Sequence, residues 1–381
     1  MLKDMVVQFF SLLNLGPPSC TCRYCGALFW YEERINRRQD TMSPSYNKCC
    51  KEGSVFLPPY RPPREPLYNL LTGANPTLSR HFFENIRIFG TPDKHGDIFS
   101  APVASEVVGL VVDDFGASEV GRDLIVEDHA GQLCRVNENH CKFMAMQYPI
   151  LFPYGEDGFH ENIFYRQCRR SKSIKRKHVT MLECFAYRLH DRVDDFNTPK
   201  RCKRLTQSCI VEAYCCVEES RLSHYRKKSF QSKYRSASFK EIREVVARGV
   251  IDGSDAGQIV ILPSSFIGGP RYWYQNYLDC VALCAKYGCP DLFITFTSNP
   301  LWSEVTEALA LIPGQHPSDR ADIVDHVFHM KLEILMDDIT KGEFFGPLLQ
   351  CKIPRENCSG CCILWNSCIV ASRWTHTSFS V

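Results

Sequence analysis

Between Pro263 and Pro300 the chain writes three elements in close succession, and this order constrains the fold more than any other stretch. Pro263-Ser-Ser-Phe-Ile-Gly-Gly-Pro270 must be a loop or tight turn, because its prolines remove backbone donors and its glycines admit conformations closed to other residues. Tyr274, Tyr277, Leu278, Val281, Ala282 and Ala285 then recur at helical spacing, which predicts one helical face ending near Gly288. Asp291-Leu-Phe-Ile-Thr-Phe-Thr297 is β-branched and aromatic, is closed by Asn299-Pro300, and reads as a buried strand. Helices are predicted from about Trp302 and from about Asp322 to Thr340.

The rest of the chain sorts by composition into an α+β arrangement. Residues 1–75 form a cysteine-rich module ending in Leu57-Pro-Pro-Tyr-Arg-Pro-Pro-Arg-Glu-Pro66, a run that favours extended backbone and marks a boundary. Residues 76–160 read as a small strand-rich region, with Glu106-Val-Val-Gly-Leu-Val-Val112 before a turn signal at Asp113-Asp-Phe-Gly116. From about 180 the pattern turns helical, through Cys184, Tyr187 and Leu189 and along Cys209 to Leu222. A separate segment, 348–381, is cysteine-rich and shows neither a helical nor a strand period.

Length and charge limit the functional classes. At 381 residues the chain can bury a sizeable core, and a net charge of +2 is too small to make its whole surface a polyanion-binding field. Any nucleic-acid contact must come from local patches. No apolar stretch approaches the roughly 18 residues that a membrane span requires, so no membrane partner is expected. The N-terminal apolar run carries Asp4, lacks a basic flank and leads to Gly16-Pro-Pro, which argues against a cleaved signal. In a reducing, intracellular compartment the 21 cysteines are then thiols or metal ligands.

Cys22-Arg-Tyr-Cys25 with Cys49-Cys50 is the first chemical candidate. A C-x2-C knuckle sets two thiolates on one turn at the separation tetrahedral zinc needs, and a second pair can close the site. The second pair is adjacent, an unusual spacing, and the competing reading is four buried thiols in a small core. A second zinc site from Cys358, Cys361, Cys362 and His376 lacks any ribbon-like surroundings. His326 and His329 sit three apart on a predicted helix and read as partly exposed side chains.

Two segments could touch DNA. Arg166, Arg169, Arg170, Lys172, Lys175, Arg176 and Lys177 could neutralise phosphates beside Phe164 and Tyr165, although a solvated loop or an import signal explains the same charges. Lys200-Arg-Cys-Lys-Arg204 has the same ambiguity. Ser264, Ser265 and Arg271 could bond phosphate oxygens where Gly268 and Gly269 open the backbone, with Phe266, Tyr272 and Trp273 as stacking surfaces. The alternative is a loop that redirects the chain while its aromatics fill the core.

Several blocks, taken in order, resemble the helitron helicase-like domain, from the replication initiators of rolling-circle DNA transposons. They are Ala145-Met-Gln-Tyr-Pro-Ile-Leu-Phe-Pro-Tyr-Gly-Glu-Asp-Gly158, Val211-Glu-Ala-Tyr214 with Glu218-Glu-Ser-Arg-Leu222, the segment Val260–Trp302, and Ser318-Asp-Arg-Ala-Asp-Ile-Val324 leading to Phe344-Phe-Gly-Pro347. The cysteines followed by Phe29-Trp30 and Glu33-Arg34 are similar to the family's pattern too, and imply a zinc-ribbon-like module. The resemblance implies a helicase-like domain over 161–347, nuclear location, and a rolling-circle-nuclease-like antiparallel sheet in which Leu292–Thr297 is a core strand flanking the nuclease site. In the family, catalysis requires a His-x-His metal pair, a nucleophilic tyrosine and a Walker motif, and this sequence has no His-x-His and no G-x-x-x-x-G-K-[ST]. ATP and Mg are therefore not expected, and the sheet is expected to be incomplete.

The expected function is that of a fragment of a transposon-derived rolling-circle initiator keeping single-stranded DNA binding at most. A co-opted nuclear DNA- or protein-binding module and a non-functional pseudogene product are the alternatives. A shifted reading frame near Gln350 would account for the aberrant tail, since the codons of Trp365-Asn366-Ser367 and Ile369–Arg373 permit Glu-Phe and Arg-Gly-Leu-Pro as in the family's lost strand.

Overall fold

The computed structural model describes residues 14–35, 42–85, 124–127, 133–166, 176–193, 195–227, 262–288, 292–341, 348–352 and 367–373. The protein is mainly helical, with small antiparallel sheets and a cysteine cluster near its N-terminus. It divides into two compact units, one formed by Met1–Val217 with Thr306–Arg320 and the other by Glu218–Val305 with Ala321–Val381.

The first unit begins with a two-residue ladder, β1 (Cys20–Thr21) against β2 (Leu28–Phe29). Two short helices follow, α1 (Leu67–Thr72) and α2 (Pro76–Asn85). Helix α2 falls where strands were expected. Asn75 explains its start: its side chain accepts from the Leu78 amide at 3.1 Å, and Pro76 supplies a preset φ where no amide donor is needed. Further along, β3 (Leu124–Glu127) pairs with β4 (Leu133–Val136) in antiparallel register. The run Glu106–Val112 lies outside the described residues. Helices α3 (Phe143–Gln147), α4 (Met181–Leu189) and α5 (Arg204–Arg226) complete this part. Thr180 caps α4 by a capping box: its hydroxyl accepts from the Glu183 amide and Glu183 accepts from the Thr180 amide.

One core runs through this unit. Phe29, Cys49, Leu57, Phe143, Leu151, Val179, Cys184, Tyr187 and Cys216 are all buried in it, so residues far apart in sequence share one apolar interior. The proline-rich run is extended and lies along that interior. The Pro58 carbonyl accepts from Arg188 at 2.7 Å, the Pro62 carbonyl accepts from the Tyr154 hydroxyl at 3.0 Å, and the Arg188 guanidinium covers the Tyr60 ring at 4.0 Å.

A buried ion cluster closes the unit. Asp191 accepts from Lys200 Nζ and from Arg320 Nη2, each at 2.8 Å, and the two cations keep only 4% and 2% of their side-chain surface exposed. Burial alone would raise the Asp191 carboxyl, but the paired cations hold it well below the usual carboxylate range.

In the second unit α6 (Pro270–Tyr287) leads to β5 (Leu292–Phe296), as the sequence predicts. Helix α7 (Ser303–Leu309) starts in this unit, and α8 (Ala321–Lys341) returns to pack on it. Phe296 stacks on Trp302 and Phe328, and Lys331 Nζ donates to Glu304 at 2.8 Å inside this core. The tail supplies two strands, β6 (Leu348–Lys352) and β7 (Ser367–Arg373), and the antiparallel sheet order is β5-β7-β6. This differs from the expectation of a tail without strands. Cys368-Ile-Val-Ala371 is a continuous apolar run, and a central strand need not alternate, so its sequence lacks the period that signals a half-buried strand. The remaining tail cysteines lie outside the described residues.

The two ion clusters give two testable expectations. Lys331→Met should strand the Glu304 carboxylate and cost about 3–5 kcal/mol in urea unfolding, whereas making both positions apolar should recover much of that loss. Asp191, with its depressed folded pKa, contributes stability that is present above its unfolded pKa of about 3.9 and is lost as pH falls through the folded value. Unfolding titrations from neutral pH towards about pH 2 should show that loss, and Asp191→Asn should flatten the profile while lowering stability at neutral pH.

Candidate metal centre and adjoining basic surface

The metal centre is built from two turns. The first, Cys22-Arg-Tyr-Cys25-Gly26, caps the β1–β2 ladder; the Gly26 amide donates to the Cys22 carbonyl at 2.8 Å, with Gly26 at φ +70°. The second follows Cys49-Cys50 and runs through Lys51, Glu52 and Gly53, all three at positive φ. That left-handed run folds the chain back so that the Gly53 amide donates to Cys50 Sγ at 3.2 Å, while the Lys51 amide donates to the Asn47 carbonyl at 2.8 Å and closes a helical turn around the cysteine pair. Gly53 is needed for space as well, because a Cβ there would meet the Tyr24 ring at 3.1 Å.

The structure brings Cys22, Cys25, Cys49 and Cys50 together, with all four sulfurs within 4.8 Å of one another. Across the two turns, Cys22 and Cys50 lie 3.7 Å apart and Cys25 and Cys49 lie 3.6 Å apart. Four thiolates around one ion at a bond length of about 2.3 Å would be spaced by about 3.8 Å, so the quartet fits a tetrahedral metal ion. Charge supports the same fit. The Cys22 thiol is pushed down because Cys25, Cys49 and Cys50 all hydrogen-bond to it, and Cys49 and Cys50 are pushed up, first by Cys22. Cys25 is lowered as well, to about 6, so the quartet divides into two sulfurs that favour the thiolate and two that resist it, and a cation among them would favour the thiolate at all four. Elsewhere in this unit, burial pushes the Cys184 thiol up to about 11 and Cys202 up to about 12, as expected of packing thiols.

The centre is wired into the surrounding unit. Tyr46 stacks on Phe29 at 4.9 Å, and its hydroxyl lies 3.0 Å from His190 Nε2. His190 Nδ1 is 2.7 Å from the Ala186 carbonyl and must donate to it, so Nε2 accepts from Tyr46. Arg192 donates through Nε to the Cys25 carbonyl at 3.0 Å and through Nη1 to the Tyr187 carbonyl at 2.8 Å, while its Nη2 lies 3.7 Å from Cys25 Sγ. Sequence reasoning missed Tyr46, Gly53 and Arg192. Only Gly53 had a sequence signal, a glycine following a cysteine pair as Gly26 follows the first.

The basic run lies next to the second turn. Its described residues pair in antiparallel register: the Tyr165 amide donates to the Lys177 carbonyl at 3.1 Å and the Val179 amide to the Ile163 carbonyl at 2.8 Å. The Arg166 amide donates to the Ser54 carbonyl at 2.8 Å, its guanidinium lies over Phe56 at 4.4 Å, and Lys51 pairs with Glu183. Arg166, Arg176 and Lys177 are exposed, whereas Arg169, Arg170 and Lys175 lie outside the described residues. The second basic run is structural in three of its cations. Lys200 is committed to Asp191, Arg201 lies over Phe196 at 4.3 Å, and Lys203 lies over Phe83 at 4.5 Å.

In the second unit, Ser264 and Ser265 are exposed on the loop before α6, and Arg271 is half-buried. Phe266 and Tyr272 are buried, with Phe266 under Arg221 and edge-on to Tyr225, while Trp273, Tyr274 and Tyr277 stand exposed on α6. His326 and His329 are half-buried on α8, with His329 Nε2 3.6 Å from Asp325. Among the described residues, the cysteine quartet is the group of ligating side chains arranged for a metal, and no helix is long and apolar enough to cross a membrane.

Residues 184–352 match the family model of the helitron helicase-like domain at N-terminus. This segment is similar to the helitron helicase-like domain. The match points to a transposon-related protein, and it takes in α4 from Cys184 onward, Asp191, Arg320 and the strands β5 and β6. The cysteine quartet and the block from Ala145 to Gly158 precede it. No curated protein matches the chain.

One metal per chain is expected on elemental analysis of protein purified under reducing conditions, falling to none in Cys25→Ser. Gly53→Ala should weaken metal retention against a chelator, since it strains a left-handed position and crowds Tyr24.

Proposed function

We propose that this transposon-related protein binds single-stranded DNA in the nucleus through a basic surface organised by a structural zinc ion. Four thiolates and no open coordination position suit a structural zinc site, whose chemistry is to cross-link two turns rather than to activate water. Cys22 and Cys25 would hold it from one turn and Cys49 and Cys50 from the other. Arg169, Arg170, Lys172 and Lys175 follow in sequence between the two paired segments and add further positive charge.

The observation that carries this reading is the bond from the Arg166 amide to the Ser54 carbonyl, which ties the basic antiparallel pair to the turn after Cys50. The metal then fixes where the cations stand, and Phe164, 63% exposed in the same pair, offers a flat surface for a base. A chain of net charge +2 can hold a polyanion only by such local concentration. In the second unit Ser264, Ser265 and Arg271, with exposed Trp273, would supply a separate backbone and stacking contact. The three-stranded sheet β5-β7-β6 would correspond to part of a rolling-circle-nuclease-like sheet serving here as scaffold.

Fluorescence anisotropy with a labelled single-stranded oligonucleotide tests the reading. Binding should weaken with salt, and each phosphate contact removed should reduce the log–log salt slope by about 0.7. Arg166→Ala combined with Arg176→Ala and Lys177→Ala should therefore lower the slope by about 2 and weaken binding at low salt. Absence of binding at low salt, or a slope unchanged in the triple variant, overturns the proposal.

A further inference from the structure

The cysteine centre and the matched domain meet at three consecutive residues, His190, Asp191 and Arg192. Asp191 and Arg192 face in two functional directions. On the backbone they extend the β1–β2 ladder: the Leu28 amide donates to the Asp191 carbonyl at 2.8 Å, and Ala27 bridges Arg192 in antiparallel register. Ala27 follows the first cysteine turn directly, so the position of that turn and the register of this pairing are linked.

Their side chains carry the link further. Arg192 spends its guanidinium on the first turn and on the end of α4, bonding the carbonyls of Cys25, Tyr187 and His190 and stacking on the Tyr187 ring at 3.9 Å. Asp191 turns the other way and gives both carboxylate oxygens to Lys200 and Arg320. Those cations belong to distant segments. Lys200 precedes α5, its carbonyl accepts from Gln315 Nε2 at 2.6 Å, and Arg320 precedes α8. Both are almost fully buried, so neither can turn to water if Asp191 moves away.

We propose that metal occupancy of the Cys22–Cys25–Cys49–Cys50 centre controls the order of the Asp191–Lys200–Arg320 cluster, with Arg192 as the positioning residue that transmits it. This rests on the metal reading above and gives the centre a role beyond its own turns. With the ion bound, the two cysteine turns are cross-linked, Cys25 presents its carbonyl and sulfur to Arg192, and the 190–192 strand stays in register. When the ion leaves, Arg192 loses its partners on the first turn. The strand loosens and Asp191 no longer neutralises two buried cations. Residues 198–206 and 315–320 then open locally, ahead of the rest of the protein.

Linkage makes the coupling reciprocal, which supplies the test. Hydrogen exchange with mass analysis on the whole chain, before and after removal of metal by a chelator, should show protection at 190–206 and 315–320 falling at least tenfold, with α8 beyond Arg320 little changed. Arg192→Gln and Asp191→Asn should each lower metal affinity about tenfold, read by competition with a chromophoric chelator. Arg192→Lys should rescue little, because a single ammonium cannot bond Cys25, Tyr187 and His190 together. If Asp191→Asn fails to fold, Arg192→Gln alone decides, since its ion cluster is intact. A chain that binds one metal and releases it without change at 190–206, or whose affinity is unaltered in Arg192→Gln, overturns the coupling and leaves the metal reading standing. A chain that holds no metal overturns both.

Discussion

One carboxylate facing two buried cations sets the plan of the first unit. Asp191 lies between α4 and α5 in sequence, and its partners are Lys200, in the turn before α5, and Arg320, well over a hundred residues later. Leaving Lys200 or Arg320 buried without Asp191 would be strongly unfavourable, so the three segments are bound to fold together or not at all. Such a cluster is weak evidence for high stability, because desolvating three charges costs much of what their attraction returns. What it does enforce is position within the first unit: with Lys200 held, the chain must enter α5 at a fixed point.

The cysteine centre obeys the same logic with a different bond. Adjacent cysteines are poor joint ligands when the backbone after them is extended, because successive side chains then point to opposite sides. The helical turn closed by the Lys51 amide on the Asn47 carbonyl removes that obstacle, and three consecutive residues at positive φ then curl the chain back after Cys50. Two of them, Lys51 and Glu52, are not glycine, and the left-handed conformation costs such residues more. The strain is tolerated where surrounding bonds over-determine it: the Lys51 amide donates to Asn47 O at 2.8 Å, its ammonium pairs with Glu183, and the Val55 amide returns to Cys50 O at 2.9 Å.

Local signals in the sequence were legible where chemistry and backbone coincide. The turn, helix and strand from Pro263 to Phe296 could be read from prolines, glycines and periodicity, and the four cysteines could be named from spacing. Residues whose role depends on distant partners could not. Nothing around Asp191 or Arg192 distinguishes them from surface charges, and Lys200-Arg-Cys-Lys-Arg204 reads like a solvated basic run until its carboxylate and ring partners come into view. Helix α2 was hidden by its polar composition, and β7 by the absence of alternation.

Charge counting therefore has to follow packing before it can inform function. Unit one stacks Arg188, Arg192, Arg201 and Lys203 on aromatic rings and buries Lys200 and Arg320 on one acid, so much of its positive charge is committed to structure. Arg166 and Lys177 beside the second cysteine turn are in a different position, because their backbone is anchored by hydrogen bonds while their side chains stay exposed, Arg166 with one face over Phe56. A long cation held at its root but open at its tip loses less conformational freedom on meeting a phosphate than one on a free loop. In the second unit the same separation holds for rings: Phe266 and Tyr272 are consumed by packing, with Arg221 of the family block from Glu218 to Leu222 lying over Phe266, and Trp273 is left to the surface. Residues that resemble the helitron pattern thus divide into those that hold the unit together and those beside them that remain available to a ligand, a division that sequence likeness alone does not make.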